Sequence, residues 1–312
     1  MTNTPETVVI AGATGFIGRN LVRFLKPHVG RIVPVSASGT AVEGLAGHRF
    51  DALAGLSAGP DSVVINVAAY RYDAANFAVG QNEILLRNAE IAGAIYEFCT
   101  RNAITEVRSA SSIAVYPGDD VNFDDGASLD LNRDPHPGEL MYGWSKRIGE
   151  IYGRLFAAKS GINTVAFRLT NPYGPFDSTD EDKAHVVPAF VIRALTSSGD
   201  FTVRGNPEAT RDFIYVSDVC DIFRRSLAWR GRNGAYNLGS GENISVRTLA
   251  QTILDLTGSE REIVSQSAGT SAVAHRRCRN DRLKADFDYT RFTALADGLT
   301  PTIEWYRDAL KR

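Results

Sequence analysis

Apolar and polar residues alternate in blocks over about the first 170 positions. Val8-Val9-Ile10-Ala11 is a short unbroken apolar run, the pattern of a strand covered on both faces inside a parallel sheet. Residues 20–25 follow with helical spacing and stop near Pro27. Residues 31–35 and 62–67 predict two further strands. Residues 82–101 place Ile84, Leu85, Ile91, Ile95 and Phe98 on one side of a helix. Residues 106–109 lead into another strand, 142–160 read as a helix, and 163–169 return to strand. Strands alternating with helices predict an α/β fold, a Rossmann-type doubly wound parallel sheet.

Beyond residue 171 the pattern changes. Pro172, Pro175, Pro188 and Pro207 punctuate loops, and shorter elements replace the regular alternation. Residues 213–216 and 235–238 read as strands that rejoin the main sheet. The expected organisation is a dinucleotide-binding domain over 1–171, with 206–239 returning to it. A smaller C-terminal substrate-binding region would take 172–205 and 240–312.

Composition narrows the class. The 312 residues carry 34 Lys+Arg against 36 Asp+Glu, a formal charge of −2, so no bulk basic field exists to hold nucleic acid or an anionic membrane. No apolar run is long enough to span a bilayer. Residues 1–7 are polar and pass straight into an apolar strand, without a secretory apolar segment. Cys99, Cys220 and Cys278 are isolated and form neither a disulfide framework nor a metal pattern. A cytoplasmic protein with no metal is the expectation.

Gly12-Ala13-Thr14-Gly15-Phe16-Ile17-Gly18 follows the first strand and opens the first helix. Glycines there permit a tight turn, let a pyrophosphate approach the backbone and let helix pack closely on strand, while the helix N-terminus offers free N–H groups. This predicts a dinucleotide held by Gly12, Gly15, Phe16, Ile17 and Gly18. An NAD site usually carries Asp or Glu about 20 residues further on, for the ribose 2′-OH. Here the second strand ends Val35-Ser36-Ala37-Ser38-Gly39, without a carboxylate. That favours NADP over NAD, with Arg19 or Ser36 toward the 2′-phosphate; Asp51 is a candidate for the adenine. Turn-forming serines, a solvated Arg19 and a loop aspartate are the plainer alternatives.

Tyr142 and Lys146 lie four apart, on one face of a helix. A cation beside a phenol favours phenolate, which makes Tyr142 a usable general acid or base near neutral pH. With 11 Tyr and six Lys in the chain, the pairing carries weight mainly beside the glycine motif.

Together the two motifs resemble the extended short-chain dehydrogenase/reductase family, also called the NAD-dependent epimerase/dehydratases, which modify nucleotide sugars. Ser111-Ser112-Ile113-Ala114-Val115-Tyr116 resembles that family's catalytic serine segment. Asn66-Val67-Ala68-Ala69 stands where a strand end, here with Ala68, borders the nicotinamide. Asn82 and Asn88 match a helix pair, and the segments at 168–175, 211–216 and 236–239 match later signatures. The resemblance implies that Ser112 hydrogen-bonds the reacting oxygen and Tyr142 moves its proton. Lys146 would hold the nicotinamide ribose, Asn171 the substrate diphosphate or a nearby sugar, and Arg211 a phosphate. Hydride transfer between nicotinamide and a carbinol or ketone carbon is the implied chemistry.

Three departures select among members. Ile113 and Ala114 replace the acidic pair of the 4,6-dehydratases, which disfavours dehydration. Tyr116-Pro117, and His185 through Phe190 followed by Arg193, are similar to GDP-fucose synthase and GDP-mannose 3,5-epimerase. His185 and Arg193 are therefore candidate substrate contacts, although Ala114 occupies the position of the cysteine that partners this histidine in the synthase. Residues 269–272 stand where a late arginine segment usually clamps the diphosphate. The basic run at 275–279 could substitute, though a solvated charge cluster is the commoner outcome. The expected activity is C4 reduction of a 4-keto sugar nucleotide. A redox-neutral 4-epimerase is the alternative, and a non-catalytic dinucleotide sensor a distant third. The resemblance also implies a homodimer through the helices at 82–101 and 142–160.

Overall fold

The computed structural model describes residues 4–70, 80–266 and 276–311. Its centre is a seven-stranded sheet. In chain order the strands are β1 (Thr7–Ala11), β2 (Arg31–Ser36), β3 (His48–Arg49), β4 (Val63–Asn66), β5 (Glu106–Ser112), β6 (Asn163–Leu169) and β7 (Gly234–Leu238). They lie side by side as β7-β6-β5-β4-β1-β2-β3, all parallel. The order reverses between β1 and β4, which opens a crevice at their carboxyl ends where such sheets bind ligands.

Period-2 alternation sorts each strand between two cores. Val8, Ile10, Val63, Ile65, Val165 and Phe167 face one side, with α1 (Phe16–Leu25) and α5 (Val216–Ser226) over them. Val9, Ala11, Val33, Val35, Val64 and Val107 face the other, under α2 (Gln81–Arg101). Long helix α3 (Leu140–Ser160) packs along α2, and Tyr96 stacks on Phe156 with ring centres 4.9 Å apart. Each fully buried aliphatic chain contributes about 1.5–3 kcal/mol, so the unbroken runs read from the sequence are the sheet's main source of stability.

A third core draws on residues after 172. Helices α4 (Val186–Thr196), α6 (Val246–Thr257) and α8 (Leu295–Ala309) enclose Phe190, Val191, Leu249, Ile253, Leu299, Ile303 and Tyr306. The parallel pair Phe201–Arg204 and Ile263–Gln266 closes it. Helix α7 (Asp281–Phe287) sits between α5 and β7.

One strand expectation is corrected. Residues 234–238 do join the main sheet, but Phe213–Tyr215 pairs with Asn171–Tyr173 in a separate two-stranded ribbon. The place beside β6 is taken by β7, which leaves 213–215 to pair with the 171–173 extension beyond it. The buried Asp212 carboxylate accepts hydrogen bonds from the Ser240 N–H and hydroxyl (2.8 and 2.9 Å) and from the Gly241 N–H (2.9 Å). The first helix also starts earlier than its apolar spacing suggests, at Phe16, because the glycine turn itself supplies its N-terminus. Among the described residues, no helix is long and apolar enough to cross a membrane.

Candidate active site

The turn from β1 into α1 has little freedom. Gly12 adopts φ +88°, and a Cβ there would come within 2.6 Å of the Ala68 nitrogen. Its N–H and that of Ala13 bond the Val35 carbonyl at 2.8 and 3.0 Å. A Cβ on Gly18 would meet the Gly12 oxygen at 2.0 Å. Gly12, Gly18 and Ala68 are therefore locked together, glycine loop against the end of β4. Gly15 differs: it is exposed, and a Cβ would approach only the Gly12 oxygen, at 3.3 Å. Gly15 caps α1 without any side-chain bond to the helix's first N–H groups, and the first turn holds no acid. A small residue far less constrained by packing than Gly18, at the open positive end of a helix, fits the pyrophosphate of NAD or NADP.

At the end of β2 the chain folds into a polar turn. Ser36 Oγ accepts the Gly39 N–H at 3.1 Å, and Ser38 Oγ accepts the Thr40 hydroxyl at 2.8 Å. Arg19 points elsewhere, its guanidinium 5.6 Å from the Phe176 ring centre. Asp51 is ion-paired to Arg49 at 2.7 Å and borders a cavity of about 380 Å³ that Phe50, Tyr70 and Ile91 also line.

Ser112 ends β5, and its Oγ accepts the Ala114 N–H at 3.1 Å, so its own proton is left to donate outward. The start of α3 presses on that turn: a Cβ on Gly143 would lie 2.5 Å from the Ala114 oxygen. Lys146 thereby faces the strand end, with the Tyr142 ring beside it. The Lys146 ammonium donates to the Ala110 carbonyl at 3.0 Å and lies 5.6 Å from the Tyr142 ring centre. Burial pulls its pKa down to about 8, against an opposing pull from the Glu150 carboxylate.

Behind this group runs a buried polar chain. Ser111 donates to Glu150 at 2.7 Å, and Arg168 holds Glu150 with two bonds of 2.9 and 2.8 Å. Arg168 also donates to the Tyr116 hydroxyl at 2.9 Å, and Tyr116 donates to Asn237 at 2.8 Å. Asn237 in turn donates to the carbonyls of Phe123 and Arg279. Leaving any one member unpaired would cost several kcal/mol, about 3–5 for the ion pair. This chain fixes the strand beside Ser112 to the C-terminal segment.

That link brings distant cations together. Arg277–Cys278 pairs with Asn122–Phe123, which sets Arg276 over the Phe123 ring at 5.7 Å. Burial lowers the pKa of Arg276, and the charge of Arg211 lowers it further. Burial, Arg276 and Arg211 together push His136 down, and the Glu139 carboxylate counters the effect on both arginines. Arg276 Nε is buried without a hydrogen-bond partner among the described residues. Two half-buried guanidinium groups that repel each other form a site suited to a multiply charged anion.

The remaining candidates stand apart from this cluster. Asn171 donates its side-chain N–H to the Asp212 carbonyl at 2.8 Å. His185 precedes α4 with Nδ1 3.6 Å from the buried Asp177 carboxylate. Arg193 donates twice to Glu181, at 2.8 and 2.6 Å, and once to the Thr202 carbonyl. Asn88 holds both backbone groups of Tyr70. The segment 269–272 and His275 lie outside the described residues.

Residues 8–239 match the NAD dependent epimerase/dehydratase family. The chain belongs to that family. Its members use NAD or NADP and include nucleotide-sugar epimerases and reductases. This member is 35% identical over 115 residues to the dTDP-4-dehydro-6-deoxyglucose reductase of Escherichia coli, 37% of this chain and 36% of the relative. The match thus spans about a third of that relative's length. Against GDP-mannose 3,5-epimerase 1 of Oryza sativa subsp. japonica it is 26% identical over 98% of this chain and 82% of the relative. The GDP-L-fucose synthetase structure from Naegleria fowleri, bound to NADP, superposes with a TM-score of 0.82 at 18% identity, over 99% of this chain and 96% of that one. At that identity the likeness speaks for the fold.

Several residues bordering this candidate site in the epimerase/dehydratase family member carry no mark in the sequence. His136, Glu139, Glu150 and Arg49 carry no motif-level signal that separates them from surface charges. Arg276 belongs to the basic run at 275–279, the candidate substitute for the diphosphate clamp; it is drawn inward, whereas Arg277 and Arg279 are exposed and Arg279 is paired with Asp124 and Asp281.

Proposed function

We propose that this protein is an NADPH-dependent reductase that converts the C4 ketone of a 4-keto sugar nucleotide to an alcohol. The observation that carries the choice of reaction is the end of β2, which closes in a serine–threonine turn with no carboxylate to hold an NAD ribose. The NADP named with the Naegleria structure and the reductase from Escherichia coli support it. When bound, the nicotinamide supplies hydride to C4. Ser112 donates a hydrogen bond to the ketone oxygen, and Tyr142 delivers the proton that completes the alcohol. Lys146 steadies the resulting phenolate and binds the ribose. Arg211 and Arg276 grip the diphosphate, with His136 at its edge; Asn171, His185 and Arg193 would reach the sugar and nucleotide only by giving up their present contacts with the Asp212 carbonyl, Asp177 and Glu181. Ala114 carries no titratable group to serve as the second acid/base of a 3,5-epimerisation.

The core formed after residue 172 supports dividing the chain into 1–171 with 206–239, for cofactor, and 172–205 with 240–312, for substrate. The same reading makes the protein a cytoplasmic homodimer through α2 and α3, each of which exposes a leucine, Leu86 and Leu155. The deciding experiment is to release and identify the nucleotide retained by the purified protein, then measure NADPH oxidation with 4-keto sugar nucleotides. A freely exchanging site that prefers NADPH and turns over with such ketones is the expected result. NAD⁺ retained through purification, with no net redox turnover, would assign the redox-neutral 4-epimerase instead, since that enzyme regenerates its cofactor within each cycle.

A further inference from the structure

The polar turn at the end of β2 raises the question of which cation a 2′-phosphate would meet. Ser36 and Ser38 are neutral and already accept hydrogen bonds within their own turn. Arg19 is engaged with the Phe176 ring, its guanidinium 5.6 Å from the ring centre. Lys26 is engaged with the Glu43 carbonyl at 3.0 Å.

Arg49 is different. It is the direct Cα partner of Ser36 across the β2–β3 ladder. Its stem fills the space left by the missing side chain of Gly39, where a Cβ would meet Arg49 Cγ at 2.7 Å. Gly47 is equally constrained: a Cβ there would lie 2.2 Å from the Thr40 oxygen. Two glycines thus bring the 39–40 backbone and the 47–49 backbone into contact, which sets the Arg49 side chain beside the position that holds the adenosine ribose in this fold. The guanidinium is 60% exposed, and its one ion-pair partner among the described residues is Asp51, itself 66% exposed. Nε and Nη2 reach that carboxylate at 3.1 and 2.7 Å. Such a solvent-screened pair is weak and opens readily. A phosphate dianion offers the same fork more charge and more acceptor oxygens.

We infer that Arg49 reads the 2′-phosphate of NADPH, and that Asp51 holds the guanidinium in place beside the end of β2 until the phosphate displaces it. The inference rests on the NADPH reading above and adds the residue that makes the choice. Asp51 then acts against NADPH twice, as the partner to be displaced and as a like charge near the phosphate.

The test is calorimetric titration of the full chain with NADPH and with NADH, without any sugar nucleotide. It compares wild type, Arg49→Gln, which keeps the methylene stem over Gly39, Arg49→Ala and Asp51→Asn. NADPH affinity should fall about tenfold or more in both Arg49 variants, while NADH affinity changes by less than about twofold. Asp51→Asn should tighten NADPH about threefold. An NADPH preference in wild type that the Arg49 variants leave intact overturns this assignment alone. A wild type that prefers NADH overturns the cofactor reading and the assignment together. Because the binding assay contains no ketone, a protein that binds NADPH as described but reduces no 4-keto sugar nucleotide refutes the proposed reaction while supporting Arg49.

Discussion

The proposed cofactor end and the proposed substrate end of this site are built in different ways. The glycine turn occupies one short stretch, Gly12 to Gly18, and its geometry follows from steric exclusion within that stretch and against Ala68. The cationic cluster draws His136, Arg211 and Arg276 from three separated segments, and nothing local holds them together. Arg276 is held by the Arg277–Cys278 pairing to Asn122–Phe123 and by the buried chain that ends on Phe123 and Arg279. Arg211 is held by its pairing with Ile244, and the loop of His136 by the Gly118 N–H on the Asp134 carbonyl and by Arg147 on the Arg133 carbonyl. A local turn is specified by which residues lack a Cβ. A convergent charge site is specified by satisfied polar groups buried far from it.

The largest test falls where the two ends meet. Tyr142→Phe should lower kcat by about 10²–10⁴-fold while NADPH binding survives, as expected for loss of a general acid; turnover at the wild-type rate would remove Tyr142 from the chemistry. Next, Arg276→Ala and Arg211→Ala should each weaken binding of a nucleoside diphosphate about 10–100-fold, from loss of a charge-assisted hydrogen bond. Their effects should be less than additive in the double variant, because each arginine also raises the cost of burying the other. Unfolding curves for the single variants should shift little, or toward greater stability.

The glycines separate packing from ligand approach. Gly18→Ala should destabilise the fold by about 1–3 kcal/mol in denaturant unfolding, since its methyl has no room beside the Gly12 carbonyl. Gly15→Ala should leave the unfolding midpoint nearly unchanged and weaken dinucleotide binding about tenfold. Equal stability losses at both positions would mean that Gly15 serves packing after all. The smallest effect is in pH. Lys146 is pulled down to about 8, so it is cationic below that value and loses its charge as pH rises through it. The rate of the chemical step should fall on the alkaline side of about pH 8, and Lys146→Arg, where it retains activity, should move that limb upward.

Much of the first half was legible in advance. Residues 163–169 form the strand their apolar spacing predicts, and α2 and α3 begin within two residues of the expected positions, because burial on a parallel sheet leaves a strong periodic trace. Phe213–Tyr215 was apolar enough for the main sheet yet pairs elsewhere, because 234–238, further along the chain, takes the edge beside 163–169. Arg276 and Arg279 stand in one basic run, but one is drawn inward over Phe123 and the other remains in surface ion pairs.

By itself, then, the sequence determined six of the sheet's seven strands, the glycine turn and the Tyr142–Lys146 helix face, because each depends on residues within a few positions of one another. Tertiary structure alone decided that Arg276 would join Arg211, that Glu150 would stand behind Lys146 bound to Arg168, and that Arg49 would lie beside Ser36. Those pairings span loops and crossovers. Their energy comes from satisfying buried charge and filling the space above glycines, and neither leaves a period in the chain.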